Sequence, residues 1–112
     1  MSDLHKLYDQ ADRLKDEGKY EEAVAELENI LKLDETFALA HSALAVLLGK
    51  VGKHEEAIVH GQRVCELEPN DPFSFTALSV TCQRAFAGTN QRAYIQMAED
   101  AMARSQTLQG GG

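Results

Sequence analysis

Three aspartates, Asp9, Asp12 and Asp16, stand three and four residues apart, a spacing that sets their carboxylates along one face of a helix. A cation could be drawn to them, but calcium is usually held by the oxygens of a loop that wraps it, and a straight stripe does not wrap. The four histidines His5, His41, His54 and His60 form no HExxH motif and no zinc-ligand spacing with one another or with cysteine, so they read as surface or packing residues. Cys65 and Cys82 lie inside apolar helical patterns, outside any CxxC pair, and read as free thiols buried as small hydrophobes. There is no glycine-rich phosphate loop, no GxSxG elbow and no nucleophile-base pair. The expectation is a protein that is not an enzyme and that uses no cofactor and no metal.

Charge and hydropathy narrow the partner class. The formal net charge of −7 opposes a sequence-independent grip on nucleic acid, which needs Lys and Arg to neutralise phosphates. Residues 1–35 hold eleven acidic and five basic side chains, leaving seven and six for everything after, so the acidity belongs to the first third. No apolar run approaches the roughly 20 residues of a bilayer span, so no membrane insertion is expected. The start, "MSDLHKLYDQADRLKDEGK", mixes both signs of charge and does not read as a secretory signal, which implies a cytoplasmic location.

The elements that would position these side chains are written twice. "GKYEEAVAELENIL" at residues 18–31 and "GKHEEAIVHGQRVC" at 52–65 align with a shift of 34 residues and no insertion, and the match runs upstream, Ala11 on Ala45 and Leu14 on Leu48. Self-similarity at a fixed period marks a solenoid. Leu4, Leu7, Ala11 and Leu14 recur at helical spacing up to Gly18, and Tyr20, Ala23, Val24, Leu27, Ile30 and Leu31 begin a second stripe. A glycine there suits the left-handed turn that closes a helix, and so short a link makes the two helices antiparallel. A third unit starts at "NDPFSFTALSV", with Asp71 as the cap and Pro72 in the first helical position. A final helix is expected after Gly88, with Thr89 or Asn90 as its cap. The third unit diverges, because placing Ala98 on Ala23 takes a shift of 75, seven more than two periods.

A helix-turn-helix unit of this length, with alanines at the contacts, "GKYEEA" at the turn and "LEP" before the next unit, resembles the tetratricopeptide repeat (TPR). The residues that carry the resemblance are Ala11, Gly18, Tyr20, Ala23, Leu27, Leu44, Ala45, Gly52, Ala57, Pro69 and Leu78. It implies an all-α fold of three antiparallel hairpins stacked as a right-handed α-solenoid. The single domain would span residues 1–108, with repeats at about 4–37, 38–71 and 72–108 and a flexible Gly-rich tail at 109–112. The family's usual Trp is absent, His54 replaces the turn tyrosine, and Gly61 stands where Leu27 stands in the first unit. A glycine inside a helix costs about 1 kcal/mol relative to Ala, so the second helix of unit two is expected to be the weakest unless a neighbour fills the gap.

The resemblance also implies a concave groove lined by the first helix of each unit, holding a peptide or helix of a partner. The groove positions include Tyr8, Asp9, Asp12, Leu39, Ala43, Val46, Phe73, Ala77, Val80 and Arg84. In relatives that serve heat-shock chaperones, cations and amides clamp a terminal carboxylate, whereas the matching positions here are Tyr8, Asp12, Ala43, Phe73 and Ala77. The expected ligand is therefore a protein or peptide segment with apolar anchors and basic residues, not a carboxylate-clamp partner. A second expectation follows from the last helix, whose stripe includes Tyr94, Met97, Ala101 and Met102: an uncapped solenoid end exposes apolar surface, and a homodimer could cover it. A fragment of a longer protein is the third.

Overall fold

The computed structural model describes residues 2–110, in six helices: α1 Ser2–Asp16, α2 Tyr20–Leu33, α3 Ala38–Lys50, α4 His54–Leu67, α5 Pro72–Thr89 and α6 Ala93–Gln109. There is no strand among the described residues. The helices pair as hairpins α1/α2, α3/α4 and α5/α6, and each hairpin packs on the next through α2 with α3 and α4 with α5.

The duplicated turns explain the first two hairpins. Gly18 and Gly52 have φ of 80° and 85°, where a side chain would be strained. Around them the hydrogen bonds repeat residue for residue: Gly18 N–H donates to Lys15 O and Lys19 N–H to Leu14 O, then Gly52 N–H to Gly49 O and Lys53 N–H to Leu48 O. These bonds satisfy carbonyls that a helix end would otherwise strand. Helices α2 and α4 begin without a side-chain cap, but each carries two glutamates in its first turn, Glu21-Glu22 and Glu55-Glu56, opposite the positive end of the helix dipole. Helix α5 is capped as expected, Asp71 Oδ1 accepting from Phe73 N–H at 2.9 Å with Pro72 beside it.

The core forms around small residues at the helix contacts. Ala11, Ala23, Ala40 and Ala57 are buried with Leu27, Ile30, Leu44, Leu47 and Leu48 in a cluster that joins the first two hairpins. A second cluster, Ile58, Cys82, Ala85, Tyr94 and Ala98, with Leu78, Phe86 and Met97 packed against it, belongs mainly to the third hairpin. Gly61 is the joint between the two: a Cβ there would lie 3.1 Å from Leu78 Cδ1 of α5. The gap left by the missing leucine is filled by a neighbour, which removes the reason for α4 to be the weakest helix. Both thiols are buried, and burial pushes Cys65 up to about 11 and Cys82 upward as well, so neither is an ionised nucleophile near neutral pH.

Two expectations for the third hairpin need correction. Helix α5 does not end at Gly88 but runs 18 residues to Thr89, five more than the 13 of α3, which accounts for five of the seven extra residues. Asn90, at φ 61°, closes α5 instead of capping α6, and Arg92 before α6 makes no side-chain cap. Gly88 lies inside the helix at a place where a Cβ would run into the His54 ring. At the other end, α6 continues through Gln109 and Gly110 N–H donates to Gln106 O at 2.8 Å, while Gly111 and Gly112 of the expected tail lie outside the described residues.

Candidate partner-binding groove

Because the hairpins are related by 34 residues, side chains on α1, α3 and α5 fall into rows, such as Asp12, Val46 and Val80, or Asp9, Ala43 and Ala77. Val46 and Val80 are each 38% exposed, as equivalent places on successive units should be. Between α1 and α3 lies a cavity of about 250 Å³ lined by Tyr8, Asp12, Lys15, Ser42, Ala43 and Val46 over Leu27 and Leu47. Between α3 and α5 lies a second of about 260 Å³, reached by Ser42, Val46, Ala77, Val80 and Arg84, with Gly61 and Val64 behind. Ser42 and Val46 border both, so the cavities form one trough divided by the Val46 side chain.

Tyr8, Asp12, Ala43, Val46, Ala77, Val80 and Arg84 thus meet at the trough. Asp9, Leu39 and Phe73 line neither cavity; all three are exposed, Leu39 and Phe73 as large apolar side chains near the starts of α3 and α5. Two further side chains stand beside these, and of them Phe37 escaped the sequence reading. Lys15, three positions after Asp12, reaches it at 2.9 Å and Asp16 at 3.8 Å, so the acidic wall is partly neutralised and the Lys15 ammonium, hydrogen-bonded to Asp12, is held in its charged form above its ordinary value. Phe37, just before α3, stacks edge-on to His5 at 5.4 Å and lies 6.2 Å from the ring of Tyr8, which lines the trough. At the α5 side of the trough Arg84 makes no ion pair among the described residues. Lys50, one unit before Arg84, turns over the Tyr20 ring at 5.8 Å instead.

The residues nominated for self-association divide. Tyr94 and Ala101 are buried within the single chain, 8% and 5% exposed, so they are correctly read as core and cannot carry a contact between copies while α6 stays docked. That docking rests on small and hydroxyl side chains: Ser79 Oγ donates to Ala98 O at 2.9 Å, and the Thr76 and Ser105 hydroxyls are 2.7 Å apart. Met97 packs on the second cluster, and Met102 borders an open cavity of about 290 Å³ between α5 and α6, with Ser79, Gln83, Phe86, Ile95, Ala98 and Glu99.

The family model described as TPR repeat matches residues 11–52, which span α1 to the turn after α3. Residues 11–52 are thus similar to the tetratricopeptide repeat. Its six helices superpose on the type III secretion translocator chaperone SycD of Yersinia enterocolitica, in a structure described as an alternative dimer, with a TM-score of 0.79, 19% identity, and coverage of 96% of this chain and 76% of that one. A chain of the CopN-Scc3 complex matches with a TM-score of 0.81 and 15% identity over 96% of this chain and 59% of that one. PcrH in complex with the chaperone binding region of PopD matches with a TM-score of 0.66 and 18% identity over 98% and 93%. At such identities the likeness is one of fold, the stacked hairpins of a TPR α-solenoid. No curated protein matches the sequence. The chain is a stack of helical hairpins; no described helix is long and apolar enough to cross a membrane, and no described group of three or more His, Cys, Asp or Glu is placed to hold a metal ion.

Proposed function

We propose that the chain is a non-enzymatic module that binds a peptide or helix of a partner protein along the trough. The observation that carries this reading is the pair of abutting, mainly apolar cavities on either side of Val46, large enough together for two consecutive apolar anchors. Asp9 and Asp12 at the α1 end favour Lys or Arg in the ligand near that end. The positions that would clamp a terminal carboxylate are Tyr8, Asp12, Ala43, Phe73 and Ala77, none of them a cation, so recognition here runs through side chains along the ligand. PcrH, of the same fold, is described in complex with a region of PopD, which supports a groove that takes a segment of another protein. The test is affinity capture with the natural chain and with Val46→Glu plus Val80→Glu, in the compartment expected here, the cytoplasm. Both valines are more than a third exposed, so helical content should stay unchanged while partner recovery falls by at least about tenfold, the equivalent of about 1.4 kcal/mol. Equal recovery by both proteins overturns the reading.

A second reading, self-association through α6, is favoured by the open cavity beside Met102. With Tyr94 and Ala101 committed to the core, the half-buried Met97 and Met102, with Ile95, are the side chains left to make it. Sedimentation should then show a dimer that Met102→Glu converts to monomer, and a monomer at about 100 μM natural chain removes this reading.

A further inference from the structure

Behind the trough, on the opposite side of α3, two histidines meet. His41 of α3 is 4% exposed, and its Nδ1 lies 3.0 Å from Nδ1 of the half-buried His60 of α4. Its other nitrogen, Nε2, lies 2.7 Å from the backbone oxygen of Glu35 and 3.3 Å from the Glu35 carboxylate. Glu35 is itself fixed by Arg63 of α4, whose Nε and Nη2 donate to its two carboxylate oxygens at 2.6 and 2.7 Å. The cluster ties the link after α2 to α3 and α4, so it spans the junction between the first two repeats.

The hydrogens can be counted. Both oxygens facing His41 Nε2 are acceptors, so that nitrogen carries the hydrogen. In neutral His41 the Nδ1 is then bare, and it is satisfied only when His60 carries its hydrogen on Nδ1. One added proton still fits: it binds His60 Nε2 as the His60 Nδ1 proton passes to His41 Nδ1, so that cationic His41 now donates Nδ1–H to a neutral His60. A second added proton does not fit, because it places N–H on both facing nitrogens and two like charges side by side. We propose that His41 and His60 form a proton-limited latch between α3 and α4, beside the Glu35 link to the first repeat, closed while the pair holds at most one extra proton and opened by the second.

The surroundings bear on the second proton from both sides. Burial first, and then charge on His41, holds His60 below the ordinary histidine value, while Glu28 of α2 and Glu56 of α4 favour its charged form. The Glu35 carboxylate beside His41 Nε2 is kept ionised by Arg63 and further by His41. The sign of the pH effect follows. The unfolded chain takes up a proton on each histidine near its ordinary value of about 6.5, and the folded pair resists the second, so stability is full above that value and is lost as pH falls through the lower folded value of His60.

The test needs no variant for its first arm. Long-range ¹H–¹⁵N NMR of the full chain at about pH 8 should show His41 as the Nε2–H tautomer and His60 as the Nδ1–H tautomer, the minor form of free histidine in water. A His60 that is Nε2–H at that pH overturns the latch. In the second arm, urea midpoints are followed from about pH 8 to about pH 5, where Asp and Glu stay largely ionised. The midpoint of the natural chain should fall across this range and that of His60→Leu should fall less than half as far. Because the slope with pH is read and not the absolute midpoint, a variant that starts weaker still reports, and equal slopes overturn the proposal.

Discussion

Replacing Leu44 by Ala should lower the stability of the folded chain by about 2–5 kcal/mol, enough to move much of the protein toward the unfolded state at body temperature. Leu44 is 0% exposed and sits in α3, the helix with the largest number of buried positions, alongside Ala40, His41, Ala45, Leu47 and Leu48. The cluster around it takes Ala11 from α1, Ala23, Leu27 and Ile30 from α2 and Ala57 from α4, so three neighbouring helices share the cluster that one truncated side chain opens. The alanines make relaxation difficult, because helices already in close approach have no room to move inward and fill the hole. A solenoid repeat cannot bury its apolar face without its neighbour, so the loss should spread through both of the first two units. Urea unfolding followed by far-ultraviolet dichroism would measure it. The midpoint should drop strongly with unchanged slope, and a shift worth less than about 1 kcal/mol would mean that Leu44 is not at the centre of the core.

The parts of this fold that were legible in the sequence are those fixed by a repeated local rule. Gly18 and Gly52 announced two left-handed turns because only glycine is at ease at φ near 80°, and their spacing set the period. Asp71 and Pro72 announced the start of α5 because the cap is a contact between near neighbours. What escaped depends on residues far apart in the chain. Gly88 looked like a helix end, yet it lies inside α5 against the ring of His54, and nothing within a few residues of it signals that. His41 and His60 are 19 residues apart and show no ligand spacing, so their contact emerges only once α3 and α4 are side by side. The trough was legible where the rows repeat, as with Val46 and Val80. It was less so beside Tyr8, where Phe37 from the link before α3 packs against His5 and Tyr8. Tyr94 and Ala101 seemed free for a partner because a stripe on the last helix does not say which side of it α5 will take.

Substituting Gly61 by Leu should separate the third hairpin from the first two, the reverse of what the repeat pattern alone would suggest. Leucine is what the first unit carries at this position, as Leu27, and it would add about 1 kcal/mol of helix propensity to α4. The space is already occupied. A first carbon at Gly61 would approach Leu78 Cδ1 to 3.1 Å and Leu78 Cα to 4.0 Å, and three further carbons would have to enter the same gap. Leu78 can turn its tip but cannot vacate, because it packs against the cluster of Ile58, Cys82, Ala85, Tyr94 and Ala98. Overpacking of this kind costs about 1–3 kcal/mol and more where backbone must move, which exceeds the gain in propensity. Since Gly61 lies between the two clusters, the strain is relieved by letting α5 and α6 swing away while α1 to α3 keep their core. Hydrogen exchange would distinguish this from general loss of stability. Amides of α5 and α6 should exchange at least about tenfold faster in Gly61→Leu, with α1 to α3 near their natural rates. Uniform acceleration in all six helices would show that the clusters unfold as one unit and that the glycine is no joint.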